Sequence, residues 1–256
     1  MPPPGLILVV PCYNEAARLQ PQAFLDFEAS HPLVRLLFVD DGSSDATFEI
    51  LERIRAAAPA SAGILRLPSR QGKGEAVRQG ILEGVRNGAP LVGFWDADLA
   101  TPLEEVDDFL ALVAKRPEVE IVLGSRVKLM GRDIRRRAWR HYLGRVFATA
   151  VSLALELPVY DTQCGAKLFR VSEATAAAFK RPFGSRWIFD VEVLARYLVQ
   201  PAGPGEPPRQ ARIFELAVSK WHHVPGSKLR WTDYLRSFFD LAAIYHQYHQ
   251  RPPASR

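Results

Sequence analysis

The chain has 256 residues, 48% hydrophobic and 24% charged. That balance belongs to an ordinary globular protein and excludes a disordered or fibrous one. The formal net charge of +5 is uneven: the segment Arg126 to Arg145 holds eight Lys or Arg against one acid, Asp133, so it carries +7 and the remainder −2.

In chain order, short runs rich in Val, Ile, Leu and Phe stand at 6–10, 36–39, 64–67, 91–95 and 121–123. Between them, 16–30, 45–58, 73–87 and 103–115 carry apolar residues at helical spacing. Ser44 or Asp45 suits the cap of the second helix, with Glu49 supporting its first turn. Strands alternating with helices of this length predict βαβ units and a mostly parallel α/β sheet flanked by helices. After Arg126, Trp139, Leu143, Val146, Phe147, Ala150, Leu153 and Leu157 share a helical face whose beginning is crowded with basic residues. A turn-like stretch at 159–169 follows, then helices at 173–179 and 190–199, a Pro- and Gly-rich loop at 201–208 and a strand at 212–218. Trp231, Leu235, Phe238, Ala242 and Tyr245 share the apolar face of a closing amphipathic helix. One domain over 1–250 with a flexible tail at 251–256 is expected. The longest later apolar run, Val146 to Leu155, is shorter than the roughly 20 residues a spanning helix needs. Two cysteines and the absence of a basic, leader-like start predict a reducing, cytoplasmic setting.

Ligands of open parallel sheets bind beyond the carboxyl ends of the strands. The first strand ends in VVPCYNEAARL, which has no glycine, whereas a dinucleotide-binding turn needs glycines to let a pyrophosphate approach backbone amides. GKGEAVRQG (Gly72 to Gly80) lacks the Gly-Lys-Ser/Thr of a P-loop. Tyr13 and Glu15 instead offer an aromatic face and a carboxylate to a base and ribose. The second strand ends in FVDDGSSDAT, where Asp41 is a candidate for nucleobase or ribose hydroxyls and Asp45 for a helix cap. FWDADLATP places Asp96 and Asp98 at the end of the fourth strand, hard oxygen donors suited to Mg²⁺ or Mn²⁺ bound together with phosphates.

PCYNE, VDDGSSDAT, QGKGEAVRQGI and DADLATP match, in order and spacing, the family-2 glycosyltransferases of GT-A fold. GSR (Gly124 to Arg126), DTQCGAKLF (Asp161 to Phe169), WIFDVEVL (Trp187 to Leu194) and W-x-x-x-PGSK (Trp221 to Lys228) extend the resemblance over about residues 5–245. Within that family the set looks most like the dolichyl-phosphate glucosyltransferases, with dolichyl-phosphate mannosyltransferases as near relatives. The resemblance implies an inverting transfer of a hexose, glucose in preference to mannose, from a nucleotide diphosphate sugar to a polyprenyl phosphate. A soluble sugar or glycan acceptor, and a nucleotide-sugar-binding protein without catalysis, are the alternatives. Pro11, Tyr13, Glu15 and Asp41 are implied to hold the nucleoside, Asp96 and Asp98 the metal, and Ala97 and Leu99 the wall of the same pocket. Arg126 and Lys228 are implied to bind donor or acceptor phosphate, with Lys167 close by. Asp161, on a separate reading of the residues, is a candidate to orient Lys167 or the acceptor. Two positions depart from the mannosyltransferase pattern: Ala100 stands where those relatives carry a metal-binding Gln, and His222 where they carry Arg.

Among the remaining candidates, Cys164 is expected to be a packed residue, Trp187 and Trp221 core or groove walls, and at most one of His222 and His223 to point inward. The basic segment and its apolar face suit peripheral contact with anionic lipid on the inner face of a membrane. The alternative is that this helix and the closing one pack against each other and the sheet, with the arginines solvated or binding phosphates. A nucleic-acid partner is not expected, since no aromatic-interleaved basic motif accompanies the charge.

Overall fold

Seven strands form one sheet in the computed structural model, which describes residues 5–135, 138–224 and 231–249, without the side chains of 135–143, 231–235 and 249. The elements are β1 (Leu6–Cys12), α1 (Pro21–Ser30), β2 (Val34–Asp40), α2 (Thr47–Ala57), β3 (Ala62–Arg66), α3 (Lys73–Arg86), β4 (Leu91–Trp95), α4 (Glu105–Lys115), β5 (Ile121–Ser125), β6 (Asp133–Arg135), α5 (Ala138–Leu155), β7 (Ala166–Arg170), α6 (Glu173–Phe179), α7 (Phe189–Leu198), β8 (Ile213–Ala217), β9 (Lys220–His222) and α8 (Trp231–His249). The sheet order is β3-β2-β1-β4-β7-β5-β8, and β6 pairs with β9 in a separate ribbon. All sheet pairings are parallel except those of β7, which runs antiparallel between β4 and β5.

Successive side chains of a strand point to opposite faces, and β1 feeds two cores accordingly. Leu6, Leu8 and Val10 join Phe24 and Phe27 of α1, Leu51 and Ile54 of α2, and Phe109 of α4. Ile7 and Val9 join Val77 and Ile81 of α3, Val151 of α5, Val191 and Leu194 of α7, and Leu241 of α8. The result is a three-layer sandwich with the expected mostly parallel sheet in the middle. Helix α3 lies unusually close to the sheet. A Cβ at Gly80 would sit 2.4 Å from Val9 Cγ1, and one at Gly84 2.8 Å from Val92 Cγ1. This close seat, made possible by two glycines on one helical face, carries Lys73 at the start of α3 to the carboxyl ends of β1 and β4.

Three expectations are corrected. Helix α1 starts at Pro21, not near Ala16; proline is tolerated in the first helical turn, where its missing N–H loses no bond. The stretch expected as a turn to Phe169 contains β7, from Ala166. A buried Lys167 at its centre hides that strand from a reading of apolar runs. The expected face of α5 is divided: Phe147 is buried while Val146 and Leu153 are 60% and 74% exposed, and Val151, outside that face, is buried instead. The tail at 251–256 lies outside the described residues.

Candidate functional site

The loop after β1 is stitched to the loop after β2. Asn14 donates its backbone N–H to Ser43 Oγ and takes Ser44 N–H on its side-chain oxygen, while Glu15 N–H is accepted by Thr47 Oγ1. Asp45 accepts from Thr47 N–H and from Ala16 N–H, so it closes the first turn of α2 and ties the two loops. These bonds lower its pKa against the opposing effect of burial. The helix-cap reading of Asp45 is thus realised, one residue outside the formal cap Ala46.

Asp41 is 2% exposed and accepts from Gln71 N–H at 2.7 Å and Gly72 N–H at 2.8 Å. Burial raises its pKa, and the two amide bonds oppose that shift. Its carboxylate therefore anchors the β3–α3 loop from the position where the sequence suggested a nucleoside ligand. Tyr13 is half-buried, and the guanidinium of Arg70 in that loop lies 4.4 Å from its ring centre. Pro11 is half-buried beside Val39.

At the end of β4, Asp96 N–H is accepted by Gly165 O at 2.9 Å, extending the β4–β7 pairing past the sheet. The Asp96 carboxylate lies directly on Gly165: a Cβ there would meet Oδ2 at 2.0 Å and Cγ at 2.1 Å. The side chain is confined on that side and meets Lys73 Nζ at 2.5 Å. Desolvation works against the charge of Lys73, and the carboxylates of Asp96, Asp190 and Asp98 outweigh it, holding the lysine pKa above its ordinary value. Asp98 accepts from Ala100 N–H at 3.1 Å and lies 3.6 Å from Arg18 Nη1, whose other arm holds Glu15. Burial, then the neighbouring Asp96, raises the Asp98 pKa. Ala97 is buried and Leu99 packs against the core with φ +51°, a left-handed conformation that is costly for a leucine and bends the loop around the acidic pair.

Arg126 closes the far side. Its Nε and Nη2 donate to the two oxygens of Asp161 at 2.6 and 2.7 Å, and its backbone N–H donates to Oδ2 at 3.0 Å. Its guanidinium lies 5.5 Å from the ring centre of Trp221. Burial would lower its pKa, but Asp161 raises it further, so it is permanently charged. The Asp161 loop is held in turn by Glu215, which accepts the N–H groups of Tyr160 and Asp161 at 2.8 and 2.7 Å.

Lys167 is the clearest departure from expectation. It is 2% exposed, paired with Asp190 Oδ1 at 2.6 Å and donating to Cys164 O at 2.6 Å. So placed, it braces the site from beneath and presents no charge to a phosphate. Asp161 does not orient Lys167; it grips Arg126. Burial raises the Asp190 pKa, with Lys167 and Lys73 opposing. Cys164 is fully buried, as a packed residue should be, and burial pushes its thiol pKa up. His222 donates its backbone N–H to Ala100 O, with its ring 3.7 Å from Asp133. His223 stacks on Trp221. Lys228 lies outside the described residues. Sequence reasoning missed Arg18, Lys73, Gly165 and Asp190. All four sat in motifs already singled out, so only their partners were unseen.

Among the described residues, no group of three or more His, Cys, Asp or Glu is arranged to hold a metal ion. Two carboxylates beside a glycine cradle fit a hard divalent cation that takes the rest of its shell from a ligand and water. A site at a strand end with two acids and the cations Arg18, Lys73 and Arg126 around them suits an anionic, metal-chelating ligand.

The glycosyl transferase family 2 model matches residues 7–174. The dolichyl-phosphate beta-glucosyltransferase ALG5C of Trichomonas vaginalis is 32% identical over 248 residues, covering 92% of this chain and 69% of that one. The dolichyl-phosphate beta-glucosyltransferase of Dictyostelium discoideum is 33% identical over 238 residues, covering 88% and 68%. Among solved structures, glucosyl-3-phosphoglycerate synthase from Mycobacterium tuberculosis, crystallised with Mn²⁺, UDP and glucosyl-3-phosphoglycerate, superimposes with a TM-score of 0.65. It is 20% identical and covers 98% of this chain and 82% of that chain, a likeness of fold. With its strand-end acids, its mostly parallel sheet and these relatives, the chain belongs to glycosyl transferase family 2.

Proposed function

We propose that this protein transfers glucose from UDP-glucose to the phosphate of a polyprenyl phosphate, with inversion at the anomeric carbon. The observation that carries the reading is the acidic pair Asp96 and Asp98 at the end of β4, with Arg126 clamped by Asp161 at the end of β5. The relatives' names support the donor sugar and the lipid acceptor.

Asp96 and Asp98 would hold a Mg²⁺ or Mn²⁺ ion, which neutralises charge on the diphosphate leaving group. Tyr13, Glu15 and Asp41, with Pro11, border the space for the nucleoside, and Ala97 and Leu99 shape the turn beside it. In the reaction an acceptor phosphate oxygen attacks the anomeric carbon, and the carbon–oxygen bond to the nucleotide breaks, the electron pair leaving with the diphosphate. The attacking oxygen is already anionic at neutral pH, so the step requires orientation more than a strong base. Arg126 supplies that orientation, since Asp161 and Glu215 hold its loop and its planar guanidinium matches a phosphate. Lys228 would add a second cation from the segment after β9. Lys167 and Asp190 keep the floor of the site rigid.

Among the described residues no helix is long and apolar enough to cross a membrane. Leu129 and Met130, in the loop that follows Arg126, are 49% and 103% exposed, and Val146 and Leu153 project from α5. Apolar side chains beside a strongly basic segment suit peripheral contact with an anionic membrane, where a lipid acceptor resides.

A radiolabelled-donor assay with UDP-glucose and GDP-mannose, each against polyprenyl phosphates and soluble sugars, tests the reading. Transfer from UDP-glucose to the lipid phosphate is expected, with loss of turnover in Asp98→Ala or excess chelator. Preference for GDP-mannose overturns the donor, and transfer only to a soluble sugar overturns the acceptor.

A further inference from the structure

Each acid at the end of β4 already has a cation of the chain beside it. Lys73 Nζ lies 2.5 Å from Asp96 Oδ1, and Arg18 Nη1 lies 3.6 Å from Asp98 Oδ2. Arg18 also holds Glu15 Oε1 at 2.5 Å, so these two cations are shared among three carboxylates. The absence of a side chain at Gly165 leaves room for the Asp96 carboxylate, which a Cβ there would meet at 2.0 Å. A divalent ion arriving alone would meet two positive charges beside the two protein carboxylates, with no group of three or more His, Cys, Asp or Glu among the described residues to hold it.

We propose that Lys73 and Arg18 are built-in counter-ions that bar a lone divalent cation and make metal and nucleoside diphosphate load together, the two side chains passing from the carboxylates to the diphosphate oxygens. The inference rests on the assignment of Asp96 and Asp98 as the metal pair. A diphosphate supplies what the metal alone lacks: oxygens to complete the shell, and anions to receive the displaced cations. Both side chains are suited to the exchange. Lys73 is 42% exposed on a flexible stem at the first turn of α3. Arg18 retains Glu15 as a partner when it leaves Asp98, so its guanidinium is never left bare.

The test measures Mn²⁺ binding to the full chain by electron paramagnetic resonance, with and without UDP, correcting for the Mn²⁺ that UDP chelates in solution. In the wild type, UDP should tighten Mn²⁺ binding by about ten-fold or more, the scale of effect that one charge within ~4–6 Å has on a carboxylate. Lys73→Met should bind Mn²⁺ alone about ten-fold more tightly than the wild type, with a correspondingly smaller gain from UDP. Arg18→Met should move the same way by less, its contact being longer and shared. Lys73→Arg should behave as the wild type. Lys73→Met and Arg18→Met proteins, shown to be folded by circular dichroism, that bind Mn²⁺ alone no better than the wild type overturn the proposal; if one fails to fold, the other decides. Asp96→Asn and Asp98→Asn separate the levels. Unchanged Mn²⁺ binding with UDP in both removes the metal assignment itself, whereas loss there beside unchanged Lys73→Met removes only the counter-ion role.

Discussion

Gly165→Ala is the smallest change that should separate folding from activity. The backbone at Gly165 is not in the left-handed region, so alanine is conformationally allowed there. The obstacle is the Asp96 carboxylate, which a Cβ would meet at 2.0 to 2.6 Å. That carboxylate is the end of a flexible side chain and is 32% exposed, so it can swing outward. The cost is the loss of a partly exposed Lys73–Asp96 pair, ~0.2–1 kcal/mol after solvent screening, with an off-rotamer side chain at ~0.5–1.5 kcal/mol. Replacing glycine by alanine restricts the unfolded chain and offsets about 0.4–1 kcal/mol of this. The net loss of about 1 kcal/mol corresponds to a melting temperature lower by roughly 2–4 °C. Activity should suffer far more, because a reacting group misplaced by about 1 Å costs on the order of a hundred-fold. Steady-state kinetics with UDP-glucose and a polyprenyl phosphate, beside thermal unfolding, is the assay. A Gly165→Ala enzyme with more than half the wild-type kcat/KM would refute the claim that this glycine exists to seat Asp96.

Other expectations test the supports of the site and the surface. Glu28 is buried, and desolvation, only partly opposed by Ser61, pushes its pKa up from 4.5 to about 7. Its folded form therefore holds a proton that the unfolded chain releases above about pH 4.5, so stability should fall as pH rises from 4.5 through 7 and level off above, by on the order of 3 kcal/mol at most. Glu28→Gln should flatten that slope in urea melts at pH 5 and pH 8; an unchanged slope would assign it elsewhere. Lys167→Met leaves Asp190 buried without its partner and should cost ~3–5 kcal/mol, while adding Asp190→Leu should recover much of it; equal losses in both proteins would show that the pair is not coupled. Met130→Asp combined with Leu153→Asp should reduce co-sedimentation with anionic vesicles, and binding by the parent protein should weaken with salt. Undiminished binding by the variant would place the membrane contact on another face.

Much of the chain was readable without coordinates because its signals are local. The apolar run of β1, the helical spacing of α2 and α3, and the acids at the ends of β2 and β4 follow from side-chain period and from strands that end where polar residues begin. Asp45 as a helix-closing residue follows from short-range chemistry as well. What required the tertiary structure were pairings between distant segments. β7 is a strand only because β4 and β5 flank it and Asp190, from α7, neutralises the lysine at its centre. Lys73 meets Asp96 only because Gly80 and Gly84 let α3 settle onto Val9 and Val92. Arg126 is aimed by Asp161, 35 residues away, and Asp96 is seated by a glycine from another strand end. A sequence displays which charges are present, since that is a property of each residue. Which charge neutralises which depends on distances of a few ångströms, and those are set by the packing of whole helices and strands.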